Sequence, residues 1–325
     1  MTLYRGPVTD HFDGEHFYNP GSQIPHGSGG LFKWLANREQ GPWREWTDAP
    51  PGPPPPARVS DGGLRVTFIG HSTVLIQMDG MNFLTDPIWS MRASPLSWIG
   101  PRRHRPPGLR LEDLPPINLV LQSHDHYDHL NIPTMRQLTK RHRIKFLTPL
   151  GVRARLITAN IPGGTEAAEL DWWQAISISP EIKVTAVPAR HFSGRSLRDR
   201  NRTLWSGYVI EGPSGAVCFA GDSGYGSHFC EIREHFPNLR LALIPIGAFR
   251  PQWFMGPVHM SPQEAVRAHQ ELGTASSIGI HFGTFHLADD GEDEPVLELQ
   301  RTLEAAGIPP SRFVTLNCGQ GIEIP

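Results

Sequence analysis

Seven residues in one short stretch, Ser123-His124-Asp125-His126-Tyr127-Asp128-His129, hold three imidazoles and two carboxylates. Borderline nitrogen and oxygen donors packed this densely suit zinc or a similar divalent ion. A short turn can aim His124 and His126 to one side and Asp128 and His129 to the other, an arrangement that serves two ions. A pair of such ions lowers the pKa of a bound water and stabilises charge on an ester under attack. Four further residues share one placement: Asp86, His191, Asp222 and His281 each follow an apolar run. Sheet proteins gather functional side chains at such strand ends.

The elements that must position these residues are short strands. Period-two or continuous apolar runs predict strands at 64–69, 73–78, 81–85, 117–121, 144–147, 182–187, 204–210, 216–220, 239–246, 276–280 and 313–316, with Asp79-Gly80 as a hairpin turn. Helices are expected near 132–142, 149–160, 227–236, 262–272 and 293–306. The fourth has the strongest start signal: Ser261 as N-cap, Pro262 in the first turn and Glu264 closing a capping box. Strands and helices alternate along the chain, which predicts one layered α/β domain over residues 61–325. Residues 1–60 read as an irregular arm ending in a proline run, Pro50-Pro51-Gly52-Pro53-Pro54-Pro55-Pro56. Its aromatics (Phe12, Phe17, Tyr18, Phe32, Trp34, Trp43 and Trp46) predict that it packs on the body, because a disordered tail is poor in them.

Composition narrows the function. Lys plus Arg number 30 and Asp plus Glu 32, so the net charge of −2 argues against a general nucleic-acid binder. No apolar run approaches the roughly 18 residues of a membrane span. The first residues lack the charged-then-apolar pattern of a signal peptide, so a cytoplasmic protein is expected. Three unclustered cysteines do not form a disulfide framework, and Cys218, inside a strand run, is expected in the core.

The order Asp86, the His124–His129 cluster, His191, Asp222, His281 resembles the five motifs of the metallo-β-lactamase-fold hydrolases. More specific stretches include Gly70-His71-Ser72-Thr73-Val74-Leu75, Leu84-Thr85-Asp86-Pro87, Gly221-Asp222-Ser223-Gly224-Tyr225, Trp253-Phe254-Met255 and Ile280-His281-Phe282-Gly283-Thr284-Phe285. These resemble the N-acyl-phosphatidylethanolamine-hydrolysing phospholipase D family and its bacterial relatives. The resemblance implies a four-layer αβ/βα sandwich binding two divalent ions, zinc first, with manganese or iron as alternatives. It implies that His124, His126 and His191 hold one ion and Asp128, His129 and His281 the other, with Asp222 bridging. Asp86 would orient the His-rich loop, and Tyr127 and His259 would meet the substrate phosphate.

Outside the family motifs, His71 is expected to hydrogen-bond near Asp86, and Arg195 to pair with a phosphate. Residues 88–105 mix apolar and basic side chains that could grip an acyl chain or an anionic membrane. The function expected is therefore a two-metal phosphodiesterase, catalysing with Asp222, His259 and Tyr127. Its expected partners are a phospholipid or small diester, a peripheral membrane contact and a second copy in a homodimer. The rivals are a lactonase of the same fold and a metal-bearing scaffold without turnover.

Overall fold

Alternation along the early strands builds the centre of the molecule. β1 (Leu64–Gly70), β2 (Thr73–Met78), β3 (Met81–Thr85), β4 (Leu119–Leu121), β5 (Lys145–Pro149) and β6 (Ala168–Leu170) lie side by side in that order. A second sheet holds β7 (Ala175–Ser177), β8 (Lys183–Val187), β9 (Gly207–Gly212), β10 (Gly215–Phe219), β11 (Leu239–Pro245), β12 (Ser276–Ile280) and β13 (Phe313–Thr315), also in sequence order. The last strand, β14 (Gly321–Glu323), returns to pair with β1. The computed structural model describes residues 3–21, 28–196 and 198–325; residues 1, 2 and 22–27 of the arm and Leu197 of the arginine-rich loop lie outside the described residues.

The two sheets repeat one pattern. From β14 and from β7 inward, each runs through three antiparallel pairs and then three parallel ones. Their facing sides form one core: Val74, Ile76, Leu119 and Leu121 from the first sheet pack with Val184, Ile210, Leu241 and Leu243 from the second. The intervening residues point outward to helices. Leu75, Leu84 and Val120 meet α2 (Ile132–Arg141) and α3 (Arg153–Thr158) through Met135, Leu138 and Leu156. Cys218, Ala242 and Ile244 meet α4 (His228–His235), α6 (Pro262–Leu272) and α7 (Glu294–Ala305). The result is the four-layer αβ/βα sandwich. Burial of Cys218 pushes its thiol up to about 12, as fits a core residue.

Local signals hold where they were strongest. Met78 pairs with Met81 across Asp79 and Gly80, both at positive φ, as a two-residue type I′ hairpin requires. Ser261 and Glu264 make the expected reciprocal capping box. The helix expected at 149–160 is shorter, because Pro149 still belongs to β5 and Asn160 turns at φ 51°.

The arm is not wholly irregular: it carries α1 (Ser28–Ala36), seated by Trp34 against Phe254 of the short helix α5 (Gln252–Met255). Only Trp34 of its apolar residues is well buried, so the helix shows little of the amphipathic stripe that marks a longer one. The arm packs on the body through Phe12 and Phe17, through residues 34–47, and through main-chain bonds at Gly52 and Pro56.

Strand direction places the site. β3 and β4 are parallel, and β8, β10, β11 and β12 run the same way within the second sheet, since β8 and β10 both oppose β9. Asp86, the His-rich loop, Asp222 and His281 leave from the forward ends of β3, β4, β10 and β12, and His191 lies further out on the loop after β8.

Candidate metal centre

The backbone is bent into costly shapes where these residues emerge. His71, Asp86 and His281 all lie at positive φ, at 56°, 32° and 60°. Such conformations cost a non-glycine residue on the order of 1–3 kcal/mol and gather at functional sites. Gly221, before Asp222, has φ 63°, and a Cβ there would come within 2.8 Å of the Ser206 carbonyl oxygen. Only glycine fits that turn.

Three imidazole nitrogens converge first. His124 Nε2 and His126 Nδ1 are 2.8 Å apart, and His191 Nε2 lies 3.2 Å from the same His126 nitrogen. Opposite faces of two rings are tied down: His124 Nδ1 meets Ser123 Oγ at 2.9 Å, and His191 Nδ1 meets the Val258 carbonyl at 3.0 Å. A bond at the far nitrogen fixes ring orientation and directs the other lone pair inward. Burial, reinforced by neighbouring imidazoles, holds His124 and His191 well below the usual histidine range, and burial lowers His126 as well. Neutral rings keep their lone pairs for a metal.

A second set lies beside the first. His129 Nε2 stands 3.3 Å from Asp128 Oδ2, and His281 Nε2 3.6 Å from it. Asp222 Oδ2 sits between the sets, 3.0 Å from both His129 Nε2 and His281 Nε2 and 3.8 Å from His191 Nε2. Despite these distances, His129 Nε2, His281 Nε2 and Asp222 Oδ1 are buried without any hydrogen-bond partner. Buried polar atoms left unpaired are costly, on the order of 1–3 kcal/mol each. Unpaired buried nitrogens and oxygens gathered this closely suit ligands around a cation.

The charges agree. Burial disfavours ionisation of Asp128 and Asp222, but the adjacent His129, with His281, outweighs it and holds both carboxyls well below their usual range. Burial also opposes a proton on His281, yet Asp222 and Asp128 raise it to about 9, and His129 is likewise held well above its ordinary value. The carboxylates thus demand positive charge between them, which a divalent ion would supply. The donor set therefore fits metal ions, as clustered His and Asp ligands with atoms within 4.8 Å of one another.

Asp86 stands behind this set. Its carboxylate accepts from Ser123 N (2.7 Å), Gln122 Nε2 (2.9 Å), Ser123 Oγ and His129 Nδ1 (2.7 Å). His71 makes a hydrogen bond to the second set: its Nε2 lies 2.9 Å from Asp128 Oδ2. The left-handed turn at His71 swings the ring toward His281, with centroids 4.1 Å apart. His259 joins the cluster between His191 and His281, with ring centroids 5.0 and 5.2 Å away, and its buried Nδ1 has no partner. Burial lowers it to about 4.

Arg195 and Tyr127 engage each other and the His-rich loop. Arg195 Nη1 donates to the carbonyls of Asp125 (2.7 Å) and Leu130 (2.9 Å), and its guanidinium lies 3.8 Å over the Tyr127 ring. Through Nη1 it binds the His-rich loop by its main chain. Tyr127 OH donates to the Arg195 carbonyl at 3.0 Å. Sequence reasoning missed Asp125, which is fully buried, pairs with Arg155 at 2.8 Å and accepts from Gly194 N at 2.8 Å. It ties the His-rich loop to the loop bearing His191. The only available signal was a second acid inside the His-rich stretch.

Comparisons with known proteins follow the same lines. Residues 81–282 match the model of the β-lactamase superfamily domain. The chain is 44% identical over 246 residues to an uncharacterized protein of Mycobacterium tuberculosis, covering 75% of this chain but only 64% of that relative's length. It is 37% identical over 270 residues to the N-acyl-phosphatidylethanolamine-hydrolyzing phospholipase D 1 of Caenorhabditis elegans, covering 80% of this chain and 76% of the relative. A solved metallo hydrolase from the archaeon Ignicoccus hospitalis superposes with a TM-score of 0.58 at 21% identity, over 81% of this chain and 99% of that one.

Proposed function

The chain belongs to the β-lactamase superfamily, in the family of the N-acyl-phosphatidylethanolamine-hydrolysing phospholipases D; from that premise we propose that it is a metal-dependent hydrolase, a two-metal phosphodiesterase acting on an N-acylated glycerophospholipid. The observation that carries the substrate class is the 37% identity to the nematode phospholipase over most of both chains. His124, His126 and His191 would hold one ion, Asp128, His129 and His281 the other, with Asp222 shared between them. Zinc suits this nitrogen-rich set, with manganese or iron as alternatives. Bound there, the ions supply water activation at neutral pH and neutralise charge on the phosphoryl oxygens.

The chain's own residues do the rest. Asp86 holds the proton of His129 at Nδ1, so Nε2 faces the site, and the Val258 carbonyl does the same for His191. His259, a neutral ring with a free buried nitrogen beside Asp222, donates a hydrogen bond to a phosphoryl or leaving oxygen. Tyr127 acts through Arg195 and the loop rather than on the phosphate.

Lipid access fits the surface. Met91, Leu96, Trp98 and Ile99 are exposed on the stretch after Asp86, and Leu31, Phe32 and Leu35 on α1 are exposed as well. Leu287 packs against both the Trp34 cluster under α1 and the Ile88–Phe285 cluster. With Lys33, Arg92 and Arg102 among them, the two exposed patches suit peripheral contact with an anionic lipid surface on the cytoplasmic side. No helix among the described residues is long and apolar enough to cross a membrane.

The test compares wild type and His259→Ala on a phospholipid, a chromogenic phosphodiester and a sugar-phosphate lactone. Wild type should turn over the diesters, the lipid fastest, and lose that activity to a chelator. His259→Ala should lose diester turnover by about 10²-fold with both ions retained. A wild type that prefers the lactone, with no effect of the substitution, refutes the phosphodiesterase.

A further inference from the structure

His191 has no strand under it. β8 ends at Val187, and the described residues between β8 and β9 form neither helix nor strand. The Val258 carbonyl aims its ring, but a ring can be aimed only from a fixed main chain. That main chain is held by the arm. Asn19 Nδ2 donates to the His191 carbonyl at 2.8 Å, and the His191 N–H donates to Asn19 Oδ1 at 3.3 Å. One amide thus satisfies both backbone groups of a single residue, as a neighbouring strand would. Trp205 settles which end of the amide is which. Its Nε1–H can only donate, and it meets the same Asn19 oxygen at 3.0 Å, so the NH₂ must face the His191 carbonyl.

The segment carrying Asn19 is fastened on the same side. Phe12 and Phe17 are buried against Ala189, Leu204 and Trp205, so they pack on the loop that presents His191. Phe17 N donates to the Asn201 carbonyl at 2.8 Å. His11 stacks on Trp172 with centroids 4.4 Å apart and meets Asp171 at 2.7 Å. Trp172 in turn donates to the Trp205 carbonyl at 2.8 Å, closing the support.

We infer that Asn19 is a positioning residue for the three-imidazole ion site, which makes the first segment of the arm a working part of the metal centre. This rests on His191 being a ligand. Asn19 touches no reacting atom; it acts through the His191 backbone, and its loss lets His191 Nε2 drift from His124 and His126. The ion held by Asp128, His129 and His281 is supported from within the body and should be spared.

The experiment uses the full chain and three variants, Asn19→Ala, Asn19→Asp and His191→Ala. Each is titrated with Zn²⁺ against a chelator and with Co²⁺ followed by its visible spectrum, and the metal-free melting temperature is recorded. Wild type should take up about two ions. Both Asn19 variants should bind one ion about 10–100-fold more weakly, the range seen when a ligand's hydrogen-bond partner is removed, with a changed Co²⁺ spectrum. The Asp variant is decisive because it keeps the size and the acceptor for Trp205 but loses the donor to the His191 carbonyl. A side chain that merely filled space could be exchanged for Asp with affinity and spectrum unchanged. That result, alongside a His191→Ala variant that has lost an ion, would overturn the positioning role alone. A His191→Ala variant that keeps both ions at full affinity would instead remove the ligand assignment, and the proposal with it.

Discussion

Two loops bring imidazoles to one cluster and are held in opposite ways. The loop after β4 is supported by its neighbours: Asp86, one strand away, takes four hydrogen bonds from Gln122, Ser123 and His129, all fully buried. The loop after β8 is supported from far along the chain, by an amide 172 residues distant in sequence. The first arrangement is a property of the sheet. The second needs the arm to be folded onto the body. If His191 is a ligand and Asn19 positions it, that ligand depends on a segment outside the layered body.

The largest effect should come from the residue common to both loops. Asp222 Oδ2 is 3.0 Å from His129 and His281 and 3.8 Å from His191, so Asp222→Asn removes charge from both ligand sets at once. Turnover should fall by roughly 10²–10³-fold or more, on the scale of losing a main electrostatic stabiliser. Metal analysis should show depletion at both positions. Retention of two ions and near-normal turnover would mean that the two sets are independent, and the comparison between their supports would lose its meaning.

Asp86→Asn sharpens the contrast. An amide would put an NH₂ either against His129 Nδ1–H or against the Ser123 and Gln122 N–H groups, where a carboxylate now accepts at both oxygens. Because the loop it holds feeds both sets, through His124 and His129, affinity for both ions should drop about 10–100-fold. The arm variants should weaken one ion only. Equal patterns from Asp86→Asn and Asn19→Ala, read by metal titration, would erase the distinction between the two kinds of support.

How much of this was legible in the sequence follows the same division. Local signals were readable: the Asp79-Gly80 turn, the capping box at Ser261, and acids and imidazoles at the ends of apolar strands. β6, β7 and β14 were not, since three residues each are too short to display a period. Asn19 was invisible for another reason. An asparagine before Pro20 reads as a turn residue, and nothing in its surroundings names a partner in the second sheet. Arg195 shows a different limit: its place beside His191 suggests an anion, but the two backbone carbonyls that Nη1 binds are set by loop geometry and have no signal in the sequence.

The smallest effect is expected at the arm's other anchorage, where buried carboxylates add to the aromatic contacts. Trp34 Nε1 and Arg38 Nε bind the Asp289 carboxylate at 2.8 and 2.6 Å, and Trp43 Nε1 donates to the Asp290 carbonyl at 2.8 Å. The Asp290 carboxyl lies beneath them, accepting from Ala248 N at 3.1 Å through one oxygen, while the other is buried without a partner. Burial outweighs that bond and raises the group to about 6 from an ordinary 3.8. The folded state therefore holds this proton more tightly than the unfolded chain does. Its contribution is fully present below about pH 4, falls as pH rises toward about 6, and stays lost above that. Asp290→Asn keeps an acceptor for Ala248 and removes the buried charge, so the variant should be more stable than wild type near neutral pH, by about 1–3 kcal/mol. The two should converge in acid. Denaturant unfolding of both metal-free proteins between pH 4.5 and 8 isolates the difference from protonation of the ligands, which they share. Metal content should be unchanged, because this anchorage holds α1 and not His191. Parallel pH profiles for the two proteins would show that Asp290 carries no trapped charge. A loss of bound ion in the variant would show instead that the two anchorages of the arm act as one.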